Sequence, residues 1–387
     1  MLKVQTLDKI SSKGLDLLPR EQYEVATEIP EPDAIILRSF KMHDMQLPES
    51  LKAVARAGAG INNIPIDKCT EKGIVVFNTP GANANGVKEL VLTGMFIASR
   101  DIPKGLEWVK SQIDQGDQVP KLIEKKKSTF SGPEIKGKTL GIIGLGAIGA
   151  MVANDAEALG MDVIGYDPFI SVESAWGLSS NIARAEGLES VLSKADYLSI
   201  HVPLTDKTRG MFDEEKFSMM KKGIRIMNFA RGGLVDNTAL ASAIDEGIVA
   251  KYVTDFPDAE VMKLKNVIPL PHLGASTPES TDNCATMGVD QLRDYLEKGN
   301  ITNSVNFPEC SMSLSGDTRL IIANMNVPNM LGQITTFLAD KNINIVDMLN
   351  KSRDNIAYSI IDVEGDIPDA HLEDIKNIEG IIMLRVI

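Results

Sequence analysis

Lys138-Thr139-Leu140-Gly141-Ile142-Ile143-Gly144-Leu145-Gly146-Ala147-Ile148-Gly149 decides the fold of this chain. Leu140, Ile142 and Ile143, with the β-former Thr139, make the short apolar run of a buried parallel strand. Met151, Val152, Ala153, Ala156, Ala158 and Leu159 supply an apolar helical face directly after it. Between them Gly144, Gly146 and Gly149 stand in G-x-G-x-x-G spacing. The first glycine permits a tight turn, the second lets a pyrophosphate reach the backbone, and the third lets helix and strand pack closely. The helix N-terminus at Ala147 and Ile148 then faces the phosphate charge. Asp162–Tyr166 reads as the next strand and ends on Asp167, 18 residues past Gly149. An acid there meets the adenosine ribose hydroxyls and repels a 2′-phosphate, so NAD is expected over NADP. An ordinary turn with Asp167 as a cap explains each piece, but not their order.

At 387 residues the chain is long for one core and implies two or three domains. Its 43% hydrophobic and 24% charged residues are those of a soluble globular protein. It holds no run of about 18 apolar residues, so no membrane span is expected, and the N-terminus lacks a signal-peptide core. Cys69, Cys284 and Cys310 are widely spaced, which indicates neither a disulfide framework nor a metal site and fits a reducing cytoplasm. A net charge of −13 argues against nucleic acid or an anionic membrane surface as partner. The short run Lys125-Lys126-Lys127 reads as a solvated helix end, so an anionic substrate requires a local basic pocket.

Residues 1 to about 97 alternate strand and helix patterns, with exits at Arg38, at Arg56-Ala57-Gly58-Ala59-Gly60 and at Asn78-Thr79-Pro80. Val87–Ser99 and Trp108–Lys121 read as helices, with a polar connector up to Gly137. Leu106, Trp108 and Val109 offer an apolar surface to a dimer partner or to their own chain. Further strands lead into His201-Val202-Pro203, into Phe229-Ala230-Arg231-Gly232-Gly233, into Asp255 and into Pro271-His272. In open parallel sheets the ligand crevice lies outside such carboxyl ends. Residues 276 to 300 read as a helix, and Ser311–Thr318 as a linker. Residues 318–387 follow a βαββαβ order, the ferredoxin-like split βαβ. The expected domains are 1–97 with 276–305, then 98–275, then 318–387.

Of the four histidines, His43 and His371 read as exposed and His201 as cleft wall. His272 is held between two prolines and Gly274. Oxidising a hydroxy acid by hydride transfer needs a proton acceptor, a cation for the carboxylate and a group that orients the acceptor. Histidine titrates near the working pH, and the guanidinium of Arg231 matches a carboxylate fork. Asp255, Asp258 and Glu260 lie between the two in sequence, and spacing alone leaves the orienting acid open.

The segments Arg56–Gly60, Asn78-Thr79-Pro80, Gly144–Gly149, Asn228–Asp236 and Pro271–Thr277 make residues 1 to about 305 resemble the D-2-hydroxyacid dehydrogenase family. The resemblance implies an α/β chain with a Rossmann-type NAD-binding domain and a flavodoxin-like substrate-binding domain. It implies Arg231, Glu260 and His272 as catalytic residues, Glu260 standing 29 residues after Arg231 and Asp258 being its substitute. Asp255 then contacts the nicotinamide amide, and His201, Val202, Pro203, Thr208, Ala230, Gly274 and Ala275 line the cofactor. Ala57, Gly58, Ala59, Gly60 and Asn78 face the substrate, with Arg38 and Lys41 as cations for a phosphate. The implied substrate is 3-phospho-D-glycerate. The alternatives are a glyoxylate or hydroxypyruvate reductase, or a non-catalytic NAD-sensing binder. The C-terminal unit resembles an ACT domain. Asn326-Val327-Pro328-Asn329 stands at its Pro-Gly turn, Asn344 matches an effector-binding Asn, and Asn324 replaces a His. An L-serine effector site and an oligomerisation module remain open for it, with a homodimer or homotetramer expected.

Overall fold

In the computed structural model, which describes residues 1–387, the first apolar runs form strands β1 (Leu2–Thr6), β2 (Tyr23–Ala26), β3 (Ala34–Leu37), β4 (Ala53–Arg56) and β5 (Val75–Phe77). They pair in parallel in the order β2-β1-β3-β4-β5. This is the flavodoxin-like order, whose switch point lies between β1 and β3. Just past β1, Asp8 accepts N–H bonds from Arg38, Ser39 and Phe40 at 2.7, 2.8 and 2.9 Å. Burial pushes its carboxyl pKa up, but those bonds outweigh it and the group sits below its ordinary range. The helix Pro278–Lys298 covers one face, placing Cys284, Val289, Leu292 and Tyr295 in one core with Val4, Ile36, Ala55 and Phe77.

Residues Met1–Asn83 with Pro278–Ile387 form one compact unit and Ala84–Thr277 another. In the second, β6 (Thr139–Ile143), β7 (Asp162–Tyr166), β8 (Ala183–Arg184), β9 (Tyr197–Ile200), β10 (Ile224–Asn228), β11 (Val249–Thr254) and β12 (Val267–Pro269) lie in the order β12-β11-β10-β9-β6-β7-β8. All pairs are parallel. That is the Rossmann order with one added strand, and its switch point lies between β6 and β9. The helix Ala84–Ser99, which the sequence placed with the first unit, belongs here. Its Val87, Val91, Met95 and Ala98 pack with Leu140, Met227, Phe229 and Val253. The helix expected at 108–121 is broken: Ile102–Lys110 ends, Gly116 takes a φ of 47°, and a new helix starts at Val119-Pro120. Trp108 packs on Phe130 at 5.8 Å between ring centroids, whereas Leu106 and Val109 stay exposed. No helix is long and apolar enough to cross a membrane.

The C-terminal residues build β13 (Thr318–Met325), β14 (Ile345–Arg353), β15 (Ile356–Val363) and β16 (Ile381–Val386), antiparallel throughout, in the ferredoxin-like order β14-β15-β13-β16. Helices Met330–Asp340 and Asp369–Lys376 share a core with one set of side chains, among them Leu320, Ile322 and Ile361. The alternate set, Ile321, Ala323, Tyr358 and Ile360, joins the core of the first sheet with Tyr295 and Phe307.

The stretch read as a linker is tied down. Met312 N–H donates to Asn300 Oδ1 at 3.1 Å, and Ser315 donates from both N–H and Oγ to Asp362. Arg319, with no exposed side-chain surface, grips the Asp362 carboxylate at 2.6 and 2.8 Å and donates to the carbonyls of Lys298, Met312 and Ser313. Burial acts upward on the Asp362 carboxyl, but Arg319 and Ser315 together hold it below its usual range. Removing one partner of such a pair leaves a buried charge uncompensated, so Arg319→Met is expected to cost about 3–5 kcal/mol in urea unfolding. Arg319→Met with Asp362→Leu is expected to recover part of that loss. A single variant no less stable than the double variant contradicts this account.

Candidate active site

At the switch point of the second sheet the backbone closes on itself. Gly144 has a φ of 90°, and a Cβ there would lie 2.6 Å from the His201 carbonyl oxygen. A Cβ on Gly149 would lie 2.0 Å from the Gly144 oxygen. Around Gly146 the corresponding position is open, with no heavy atom within 4 Å. The helix Ala147–Ala158 that follows has no side-chain cap. Its first-turn N–H groups suit an anionic diphosphate. Asp167 accepts from Leu145 N–H and from Phe169 N–H, each at 2.8 Å, so it braces the glycine turn from the end of β7. A carboxylate retains further lone pairs for ribose hydroxyls.

His201 forms the wall of the turn, its Nε2 lying 2.8 Å from Ser199 Oγ. Burial pushes its pKa down to about 4, so it stays neutral at ordinary pH. The loop from His201 through Val202 and Pro203 is held by Thr208, whose Oγ1 donates to the Pro203 carbonyl at 2.6 Å and accepts from Thr205 N–H at 2.8 Å.

Buried Asn228, at the end of β10, fixes the next exit. Its Nδ2 donates to the Arg231 carbonyl at 2.9 Å and to Tyr252 Oη at 3.0 Å, while Oδ1 accepts from Ala230 N–H at 3.2 Å. Arg231 is exposed, donates to the Ala230 carbonyl at 2.7 Å and forms no salt bridge with a carboxylate. Its guanidinium carbon lies 5.8 Å from the centre of the Phe256 ring, and that ring lies 4.5 Å from the His272 ring, tilted 51°. Phe256 thus contacts both. Partial burial, and then the Arg231 charge, push the His272 pKa below its ordinary value, so near pH 7 it is a free base.

Asp255, 3% exposed, has an Oδ1 without a hydrogen-bond partner. Burial pushes its pKa up to about 6, against N–H bonds from its own backbone and from Gly274 and the Arg231 charge. An unpartnered buried carboxyl oxygen is costly. It matches the amide N–H of a nicotinamide. Gly274 is packed tightly, a Cβ there falling 2.9 Å from Val87 Cγ2, and Ala275 follows it half-buried.

The expected orienting acid is not at His272. Glu260, its side chain 74% exposed, reaches Lys263 at 3.3 Å instead. Asp258 is used in a turn: it accepts from Glu260 N–H, Val261 N–H and Asn237 Nδ2 at 2.8–2.9 Å. Those N–H bonds, Val261's foremost, hold its carboxyl below the usual range. Neither acid is hydrogen-bonded to the imidazole. The expectation of a carboxylate that orients His272 is therefore corrected: no acid meets the imidazole, and burial pushes the histidine toward neutrality.

In the other unit, Arg38 leaves β3 with Nη1 3.1 Å from Thr281 Oγ1, and Lys41 is exposed. Arg56 donates from Nε to the Arg38 carbonyl at 3.0 Å and from Nη1 to the Gly60 carbonyl. The loop of Ala57, Gly58, Ala59 and Gly60 thereby folds over its guanidinium. A Cβ on Gly60 would lie 2.8 Å from Arg56 Nη1. Asn78 closes the loop from the β5 exit, donating to the Ala59 carbonyl at 2.7 Å. Asp8, Arg56, Asn228, Phe256 and Thr281 were given no role from sequence. Asp8 had a readable signal, since it follows β1 as Arg38 follows β3.

The three candidate effector residues differ in burial and in hydrogen-bond partners. Asn324 is buried with Oδ1 unpartnered and Nδ2 donating to the Met325 carbonyl at 2.7 Å. Asn326 bonds the Asp354 carbonyl at 3.1 Å, and Asn344 is exposed. Asn329 takes the left-handed conformation at φ 69°, as a glycine would at that helix start. His43 is exposed, whereas His371 is half-buried against the edge of Phe337.

Residues 92–274 match the D-isomer specific 2-hydroxyacid dehydrogenase, NAD binding domain. The chain is 34% identical over 368 residues to the D-3-phosphoglycerate dehydrogenase of Methanocaldococcus jannaschii, covering 90% of this chain and 67% of that one. It is 36% identical over 308 residues to the enzyme of that name from Mycobacterium tuberculosis, covering 77% and 55%. The chain therefore spans between about half and two thirds of the length of these relatives. Among solved structures, NAD+-bound 3-phosphoglycerate dehydrogenase of Entamoeba histolytica superposes with a TM-score of 0.61 at 27% identity, covering 79% of this chain and 98% of that one. A glyoxylate reductase from Paecilomyes thermophila gives 0.63 at 25%, with the same coverage.

An acid whose pKa is raised on folding holds its proton longer in the folded chain than in the unfolded one. Its contribution to stability is present below the unfolded value of about 3.9 and is lost as pH rises through about 6. Asp255→Asn removes that dependence. In urea unfolding without NAD, the stability of the variant relative to the parent is expected to increase from pH 4 to pH 8. A gap that does not change with pH excludes the assignment.

Proposed function

The chain belongs to the D-isomer-specific 2-hydroxyacid dehydrogenases, and we propose that it oxidises 3-phospho-D-glycerate to 3-phosphohydroxypyruvate with NAD, the step that opens serine synthesis. The activity shared by its long-range relatives carries the choice of substrate. The grouping of Arg231, Asp255 and His272 at neighbouring strand exits supports the chemistry.

Bound NAD supplies the hydride acceptor. The turn Gly144–Gly149 and the N–H groups of Ala147 and Ile148 are assigned to its diphosphate, Asp167 to the adenosine ribose and Asp255 to the carboxamide. Loop 201–203, Thr208, Ala230 and Ala275 are assigned to its flanks. His272, neutral near pH 7 and packed against the Phe256 ring, takes the proton of the C2 hydroxyl. Arg231, without a carboxylate of its own, takes the substrate carboxylate through two parallel N–H bonds. Ala57–Gly60 and Asn78 are assigned to the same end of the substrate, and Arg38 and Lys41 to the phosphate. Glu260, held at the surface beside Lys263, is left out of this assignment. L-serine is the proposed effector of residues 318–387, and the exposed Leu106, Val109 and Ile113 support self-association.

NADH formation with phosphoglycerate and with glycerate, and NADH consumption with hydroxypyruvate in the reverse direction, each measured separately, test the substrate. Turnover is expected with phosphoglycerate. Activity restricted to unphosphorylated hydroxypyruvate points to a reductase, and none with any substrate points to a binder. His272→Asn is expected to lower kcat by about 10²–10⁴-fold, and near-normal turnover refutes its role.

Asp167→Ala is expected to narrow the preference for NAD over NADP by about tenfold or more, the weight of one hydrogen bond to a charged group. Unchanged selectivity in kcat/KM removes Asp167 from the cofactor site.

A further inference from the structure

We propose that Asp8 is the positioning residue for the phosphate end of the substrate: it sets the backbone of residues 38–41 so that Arg38 and Lys41 stand ready for the phosphate. The inference rests on the reading of the substrate as a phosphorylated hydroxy acid. Every residue it uses lies in one unit.

Three consecutive N–H groups, those of Arg38, Ser39 and Phe40, converge on a single oxygen, Asp8 Oδ2, at 2.7, 2.8 and 2.9 Å. A full negative charge suits three donors at one oxygen, because bonds to an ionised acceptor are the shorter and stronger kind. The carbonyl side of the same segment is held from β4 and the loop after it. Arg56 Nε donates to the Arg38 carbonyl at 3.0 Å, and Asn63 Nδ2 donates to the carbonyls of Arg38 and Phe40 at 3.3 and 2.7 Å. Met42 N–H donates to the Asn63 carbonyl at 2.9 Å. Leu37 and Met42 are fully buried at the two ends of the segment.

The side chains between those anchors point the other way in burial. Arg38 is half-buried with Nη1 donating to Thr281 Oγ1, whereas Ser39, Phe40 and Lys41 are exposed, and neither cation forms a salt bridge with a carboxylate. A backbone fixed on both sides beneath exposed side chains is the build of a binding loop. Its place agrees, since Asp8 and Arg38 follow β1 and β3, between which the strand order reverses. On charge alone an acid beside a phosphate is adverse. The three N–H bonds offset that, because cations set in advance lose less freedom when the ligand binds.

NADH consumption by the full chain with 3-phosphohydroxypyruvate and with hydroxypyruvate tests this, as the two differ only in the phosphate. The measure is the ratio of their kcat/KM values, which a loss of folded protein leaves unchanged. Asp8→Ala is expected to lower that ratio about tenfold or more, through a higher KM for the phosphorylated substrate. Asp8→Asn, which keeps an acceptor oxygen but no charge, is expected to lower it less. If the acid acted through its charge alone, both variants would raise the ratio. A ratio unchanged or raised in both overturns the proposal. An unaltered chain that prefers hydroxypyruvate removes the phosphorylated substrate, and this role with it, before any substitution is made.

Discussion

Two missing carbon atoms hold the NAD-binding unit together. A Cβ on Gly149 would press to 2.0 Å from the Gly144 carbonyl oxygen, and one on Gly144 to 2.6 Å from that of His201. Through these approaches the turn after β6 nests against the exit of β9, where the strand order reverses. A crevice opens only there, because neighbouring connections leave on opposite faces of the sheet. Asp167 secures the arrangement from the third side by taking the Leu145 N–H. The open space in front of Gly146 is what remains.

Further along the same sheet, Arg231, Asp255 and His272 interact through a shared field. The Arg231 charge lowers the pKa of both neighbours, but burial acts on them in opposite senses because it penalises whichever form is charged. The acid is driven toward its protonated form and the histidine toward its free base. Phe256 packs between the cation and the imidazole without adding a charge.

The C-terminal sheet is part of the first unit's interior. Its strands have two apolar faces, one for its own two helices and one for the core around Tyr295 and Phe307. Arg319 makes this join specific, because its guanidinium donors are shared between the Asp362 carboxylate and three carbonyls from the end of the long helix and the following segment. Tyr358 adds a bond from its hydroxyl to the Gly299 carbonyl at 2.6 Å.

The strands, the glycine turn, the terminal acid of β7 and the βαββαβ order were legible in the sequence. Each is written in neighbouring residues as a period of apolar side chains or a fixed glycine spacing. The exits that carry Arg38, Arg231, Asp255 and His272 were legible for the same reason. Glu260 was not: its count from Arg231 matches, yet the intervening chain turns on Asp258 and leaves the side chain beside Lys263. The helix Ala84–Ser99 declared an apolar face but not which sheet would cover it. Ser311–Thr318 looked loose because Arg319 and Asp362, which bind it, are 43 residues apart. Local sequence determines what a segment becomes, since backbone sterics and periodicity act within a few residues. Partners far apart in the chain are chosen by packing and by burial of charge, and only the tertiary structure decides those.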